Sequence, residues 1–269
     1  MRVFEIPEGS KTSKGRAIQN LISIEQDDKI KAFICTQDLK DEDYINSHYV
    51  IMCTKKGIVK KTSLEQYSRP RQNGINAIQV REDDELLEAK LTTGTSQIVL
   101  ALKSGKAIRF EEAKTRPMGR TAMGVRGITL ANEKDEVVGM LSIQDATEET
   151  VLVVSENGYG KRTYLDDPDG EAVYRITNRG GKGVKTINVT EKTGGLVAIK
   201  SVTDDEDLMI INKSGIAIRM SVSDLRIMGR ATQGVKLINL KNGDEIAAVA
   251  KVEKEEDLAN SIDAAGEEE

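Results

Sequence analysis

The residues of this chain best suited to chemistry are bases placed at regular intervals. Lys61, Arg109, Arg162 and Arg219 each stand four residues beyond a glycine: Gly57, Gly105, Gly158 and Gly215. Further bases follow in clusters: Arg69 and Arg71, then Arg116 and Arg120, then Arg175, Arg179 and Lys182, then Arg226 and Arg230. Guanidinium and ammonium groups repeated at one spacing suit a ligand that repeats its own negative charge, and a phosphate backbone does so. A protein that bends a duplex needs bases around a curved edge and glycines that allow close approach, without side chains that read base edges. The chain has six Tyr, three Phe and no Trp, too few aromatics for a platform that stacks single-stranded bases. Double-stranded DNA is therefore the expected partner. Lys and Arg at strand ends are also ordinary solubilising residues, and acids such as Asp83, Asp84, Glu85, Glu111 and Glu112 lie nearby. Recurrence at one offset in four places favours a site.

Catalytic and metal chemistry find little support. His48 is the single histidine and has no recurring carboxylate or cysteine partner. No metal-ligand spacing of His, Cys or EF-hand type occurs, so neither metal nor cofactor is expected. The segments 157–162 and 179–183 are rich in glycine but lack the pattern of a nucleotide phosphate loop and read as turns. Cys35 and Cys53 form no CxxC motif and read as buried free thiols of a reducing compartment. No apolar run is long enough to span a bilayer or to serve as a secretion signal, so a cytoplasmic protein without a membrane partner is expected.

The elements that must position these bases repeat. Residues 49–61, 97–109, 150–162 and 207–219 each hold an apolar β-rich run, a turn closed by glycine and a second run ending in the base. Each reads as a β-hairpin, because glycine supplies the positive φ of a tight turn. A second glycine follows each hairpin, and Gly15, Gly74, Gly124, Gly183 and Gly234 are 59, 50, 59 and 51 residues apart. Three of these glycines follow Arg120, Arg179 and Arg230 by four residues, and an aliphatic lies six residues beyond four of them: Val80, Leu130, Val189 and Leu240. A period near 50 residues with about four short strands predicts an all-β, propeller-like fold of four-stranded blades. Residues 1–250 then form one domain of four full repeats plus the later part of another. The first blade is incomplete, since its hairpin is missing.

The repeats resemble the C-terminal domain of the gyrase A family, a β-pinwheel found in DNA gyrase. The resemblance rests on residues 6–21, 57–62, 118–128, 157–163 and 228–235, and covers the chain to about residue 250. The family carries a Q-R-R-G-G-K-G box needed for DNA wrapping. The nearest match is Thr177-Asn178-Arg179-Gly180-Gly181-Lys182-Gly183, where Thr177 and Asn178 replace the first Gln and Arg. The full box normally belongs to the first repeat of a six-bladed domain, so the resemblance implies that this chain lacks that repeat and wraps DNA weakly. It also implies a non-catalytic part of a bacterial ATP-dependent type II topoisomerase, an isomerase that supercoils DNA. Its partners would be double-stranded DNA, the rest of the gyrase A polypeptide and the gyrase B polypeptide, on the nucleoid in the cytoplasm. The catalytic tyrosine and the ATPase would lie outside the chain. The equivalent domain of topoisomerase IV is the near alternative, and a propeller that binds other proteins is the alternative of a different class.

Formal net charge is −5, yet residues 253–269 hold eight acids against one base, a net −7 that leaves +2 for residues 1–252. Residues 251–269 read as an acidic, disordered tail attached to a mildly basic body, able to compete with DNA for its bases.

Overall fold

The computed structural model describes all residues except 1–2, 11, 23, 25–27, 72, 242 and 255–269. Its strands follow the four repeats. The first repeat supplies β1 (Tyr49–Thr54), β2 (Ile58–Ser63) and β3 (Leu86–Thr92). The second supplies β4 (Gln97–Leu102), β5 (Lys106–Glu111), β6 (Val125–Arg126) and β7 (Val137–Ile143). Strands β8 (Thr150–Ser155), β9 (Tyr159–Tyr164), β10 (Val184–Lys185) and β11 (Leu196–Val202) form the third. The fourth has β12 (Glu206–Asn212), β13 (Ala217–Ser221), β14 (Val235–Lys236) and β15 (Ile246–Glu253). One short helix, α1 (Glu42–Ser47), precedes the first hairpin. It is capped by the Asp41 carboxylate, which accepts from the backbone N–H groups of Asp43 and Tyr44.

Four-stranded antiparallel blades form as the repeats predict, but no blade is built from one repeat alone. The sheets run β3-β1-β2-β6, β10-β5-β4-β7, β11-β8-β9-β14 and β13-β12-β15, so the short fourth strand of each complete sheet comes from the following repeat. The fourth sheet has three strands among the described residues.

Glycine makes the exchange possible. At Gly183 and Gly234, with φ of 69° and 79°, a Cβ would lie 2.5 Å from the carbonyl oxygens of Ala107 and Gly160 in the neighbouring blade. Only glycine satisfies both the left-handed backbone and that approach. Beyond each of these glycines the chain straps down the preceding hairpin. Gly127, Thr186 and Leu237 donate backbone N–H bonds to the carbonyls of Gly57, Gly105 and Gly158 at 2.8, 2.9 and 2.8 Å. Ile128, Ile187 and Ile238 cover the same hairpin turns.

The cores lie between blades. Ile51, Cys53 and Val59 of the first blade pack with Ile98, Leu100 and Ile108 of the second. Val99, Ala101 and Leu141 of the second pack with Val151, Val153 and Leu196 of the third. Leu152 and Val154 pack with Leu208 and Ile210 of the fourth. Strands buried on both faces explain why β4 and β8 read as continuous apolar runs rather than alternating ones. On the far side of β13 no further blade follows among the described residues, and that strand is half-exposed to exposed throughout.

Candidate nucleic-acid interface

Two rows of bases leave each hairpin, and they go to different places. The row four residues beyond the hairpin glycines turns inward. Lys61, Arg109 and Arg162 are 4%, 2% and 4% exposed, so the expectation that they line the outer edge is not met. The reason is the two-sided burial of the strands: a side chain at this position enters the interface with the next blade. Each base there binds that blade. The Lys61 ammonium lies 3.0 Å from the buried Glu112 carboxylate and 4.3 Å from the centre of the Tyr49 ring. Arg109 forms a two-pronged pair with Asp166 at 2.6 and 2.8 Å and donates to the carbonyls of Leu165 and Tyr174. Arg162 pairs with Asp204 and donates twice to the Leu225 carbonyl, at 3.0 and 2.9 Å. Among the described residues no following blade covers Arg219, and it is exposed. It pairs with Asp207 at 2.8 Å and donates to the Glu253 carbonyl.

The second row stays on the outside. Arg69, Arg71, Arg116, Arg175, Lys182 and Arg226 are exposed, and Arg120, Arg179 and Arg230 are half-buried. The exchanged strands add three exposed bases that the sequence reading missed, Arg126, Lys185 and Lys236, each two residues beyond its glycine. That offset repeats in the sequence and could have revealed them. Loop and strand bases are tied together: Arg179 Nη1 donates to the Arg126 carbonyl at 3.1 Å, and Arg230 Nη1 to the Lys185 carbonyl at 3.2 Å. Among the described residues, none of these outer bases is ion-paired with a carboxylate, unlike every base of the inner row. These two contacts link outer bases of the second repeat to the third and of the third to the fourth, an edge of bases turned to solvent.

The box-like segment lies within this edge. Thr177 is held by the Arg109 carbonyl at 2.9 Å, and Asn178 is exposed. Gly180, at φ 86°, donates to Gly127 at 2.6 Å, while its own carbonyl accepts from Thr129 Oγ1 at 2.7 Å. Gly181 lies over Ile108, and Lys182 projects from the exposed side. The segment thus clasps the second blade and touches the strap that closes the first.

Elsewhere the polar residues serve local structure. His48 Nδ1 bonds the Tyr44 carbonyl at 2.8 Å just after α1. Both cysteines are free. Cys53 is buried, and burial pushes its thiol upward, whereas Cys35 is exposed, contrary to expectation. Among the described residues, no group of His, Cys, Asp and Glu is placed to hold a metal ion, and no helix is long and apolar enough to cross a membrane.

Antiparallel four-stranded blades laced by exchanged strands define a β-pinwheel of the propeller class. The family model of the DNA gyrase C-terminal domain, a beta-propeller, matches residues 1–37, 48–93, 103–144, 149–203 and 206–253, and the chain belongs to that family. It is 45% identical over 257 residues to the gyrase A polypeptide of Staphylococcus epidermidis, and 45% identical over 260 residues to that of Staphylococcus aureus. These alignments cover 96% and 97% of the chain but only 28% of each relative. Among solved structures, a topoisomerase IV C-terminal domain superposes with a TM-score of 0.81 at 24% identity, over 93% of this chain and 75% of that one. A gyrase A C-terminal domain gives 0.74 at 24%, over 89% and 75%.

Proposed function

We propose that the chain is the non-catalytic, duplex-binding part of a gyrase A polypeptide. It bends double-stranded DNA along the outer edge and presents a segment for strand passage during negative supercoiling. The observation that carries this reading is the contrast in pairing: among the described residues the edge bases from Arg69 to Lys236 are without carboxylate partners on consecutive blades, while the inner bases are neutralised. Phosphates supply the missing negative charge at matching intervals, and the exposed backbone near Gly181 allows close approach. Lys61, Arg109 and Arg162 meet no phosphate in this reading and serve by clamping adjacent blades together.

In this reading the catalytic tyrosine and the ATPase belong to the rest of gyrase A and to gyrase B, the chain's partners in a cytoplasmic, nucleoid-bound holoenzyme. The 45% identity to gyrase A favours gyrase over topoisomerase IV, whose domain shares the fold. With Thr177 and Asn178 in place of Gln and Arg, the partial box supports binding with weak wrapping. The body expected to end at residue 250 continues to Glu253, because Lys251, Val252 and Glu253 pair with β12 in the fourth sheet. The acidic residues 255–269, which lie outside the described residues, form in this reading a tail that competes with DNA, so deleting them raises affinity at low salt.

The test is the salt dependence of binding to a linear duplex. Six to ten phosphate contacts make affinity fall by about 10³ to 10⁵ between 50 and 200 mM salt. An affinity indifferent to salt contradicts the proposal.

A further inference from the structure

Strand position by strand position, the second strands of the hairpins alternate in kind. The triplets are Lys60-Lys61-Thr62, Ile108-Arg109-Phe110, Lys161-Arg162-Thr163 and Ile218-Arg219-Met220. The middle residue is the inner base already described. The first residue is an ammonium in the first and third blades and an isoleucine in the second and fourth. Lys60 and Lys161 are 0% and 1% exposed, and neither is ion-paired with a carboxylate among the described residues. An interior ammonium is costly unless something specific holds it. Here the partners are backbone carbonyls of the edge loops. Lys60 Nζ donates to the Arg120 carbonyl and, at 2.6 Å, to the Ala77 carbonyl. Lys161 Nζ donates at 2.5 Å to the Gly229 carbonyl, in the peptide unit that leads into Arg230. Both contacts fall in the same sequence, Met-Gly-Arg, at residues 118–120 and 228–230.

We propose that Lys60 and Lys161 are positioning residues of the duplex-binding edge. Their interior ammonium groups pin the backbone at Arg120 and Arg230 and so fix where those two guanidinium groups meet phosphate. The proposal rests on the duplex-binding reading above and extends it to residues that touch no DNA. Packing alone does not call for a lysine there, since Ile108 and Ile218 fill the equivalent positions of the other two blades. The loop over Ile108 is the box-like one, which reaches its neighbours through Arg179 instead, with Nε donating to the Lys114 carbonyl at 3.1 Å.

The anchor is also sensitive to pH. Burial, with the nearby Arg120 charge adding to it, lowers Lys60 to about 8. Burial and the Arg230 charge lower Lys161 to about 8. The other titratable group packed against Lys60 is the Tyr67 hydroxyl, which donates to the same Ala77 carbonyl and is pushed up by burial. In the third blade the phenol that shares the Arg230 charge with Lys161 is Tyr174, bonded to Thr186 and pushed up by burial to about 12. Neither phenol changes charge near pH 8, so the lysines are the groups of each cluster that do.

The experiment measures duplex affinity of the full chain at constant ionic strength from pH 7 to pH 9.5, with the salt slope taken at both ends. It compares wild type with Lys60→Ile, Lys161→Ile and the double variant. In wild type, affinity falls several-fold with a midpoint near pH 8, and the log–log salt slope shrinks by about two as two phosphate contacts are lost. The double variant at pH 7 behaves as wild type does at pH 9.5, and its profile is flat. If the isoleucine variants fail to fold, Lys60→Met and Lys161→Met together with the wild-type profile decide the matter. A wild-type affinity constant across this range, or the same fall in wild type and variants, overturns the positioning role alone. Absence of salt-dependent duplex binding by wild type at pH 7 overturns the duplex reading itself.

Discussion

The inner and outer rows of bases are made of the same residue types and lie within a few residues of each other, yet they do opposite work. Arg109 enters the boundary between two blades, loses its water and gains Asp166 and two carbonyls. Arg126, Lys185 and Lys236 stand on short exchanged strands at the outer margin and keep their water. The difference is one of address. A position on a central strand of this fold has no solvent face, while a position on an exchanged strand or its preceding loop does. Charge repetition in the sequence therefore marks two structures at once, a set of blade-to-blade clamps and an outer row of bases without carboxylate partners among the described residues.

The sharpest way to break that comparison is to remove one clamp. Arg109→Met leaves Asp166 and two carbonyls without their donor, and should cost about 3–5 kcal/mol of unfolding free energy in denaturant titration. The folded fraction should bind duplex with an unchanged salt slope. The reverse signature is expected on the edge. Replacing Arg126, Lys185 and Lys236 together by Ala should reduce the salt slope by about three while shifting stability by no more than about 0.5 kcal/mol per site. A smaller effect separates the interior lysines from both rows. With folded values near 8 and unfolded values near 10.5, the unfolded chain binds more protons between these limits, so Lys60 and Lys161 contribute a rise in stability as pH increases through that window. Melting curves should show the rise in wild type and lose it in the Lys60→Ile, Lys161→Ile double variant. The smallest change belongs to Arg219→Ala, since Arg219 is exposed and its pair with Asp207 clamps no following blade among the described residues. Its cost should stay below about 1 kcal/mol, and a loss as large as that of Arg109→Met would erase the distinction between a clamp and a surface pair.

Much of the fold was legible because its signals are local. Gly57, Gly105, Gly158 and Gly215 close hairpins at φ near 80°, as glycine in a tight turn must, and the β-rich runs around them pair as expected. Strand exchange was not legible. Val125 pairing with Val59 of the preceding blade is a long-range choice, and its trace in sequence is only a glycine followed by an aliphatic. The same gap misplaced the inner bases. Four residues beyond a glycine fixes the position of Arg109 along β5, but whether that position faces solvent depends on a neighbouring blade that the hairpin itself does not encode. The loop bases from Arg69 to Arg230 are exposed or half-buried, as loop positions generally are whatever packs beneath them. Lys60 and Lys161 were overlooked although the alternation of Lys and Ile at their position is plain in the repeats. A buried lysine reads as a surface one until its carbonyl partners are seen.

The central claim is that the outer row, and not the inner one, meets the duplex. The most direct measurement is the salt slope of duplex binding for wild type beside a chain carrying Arg120→Ala, Arg179→Ala and Arg230→Ala, with folding checked by thermal melting. The account predicts a folded variant whose slope is smaller by about three and whose affinity falls several-fold at about 100 mM salt. A folded variant with the wild-type slope would contradict it.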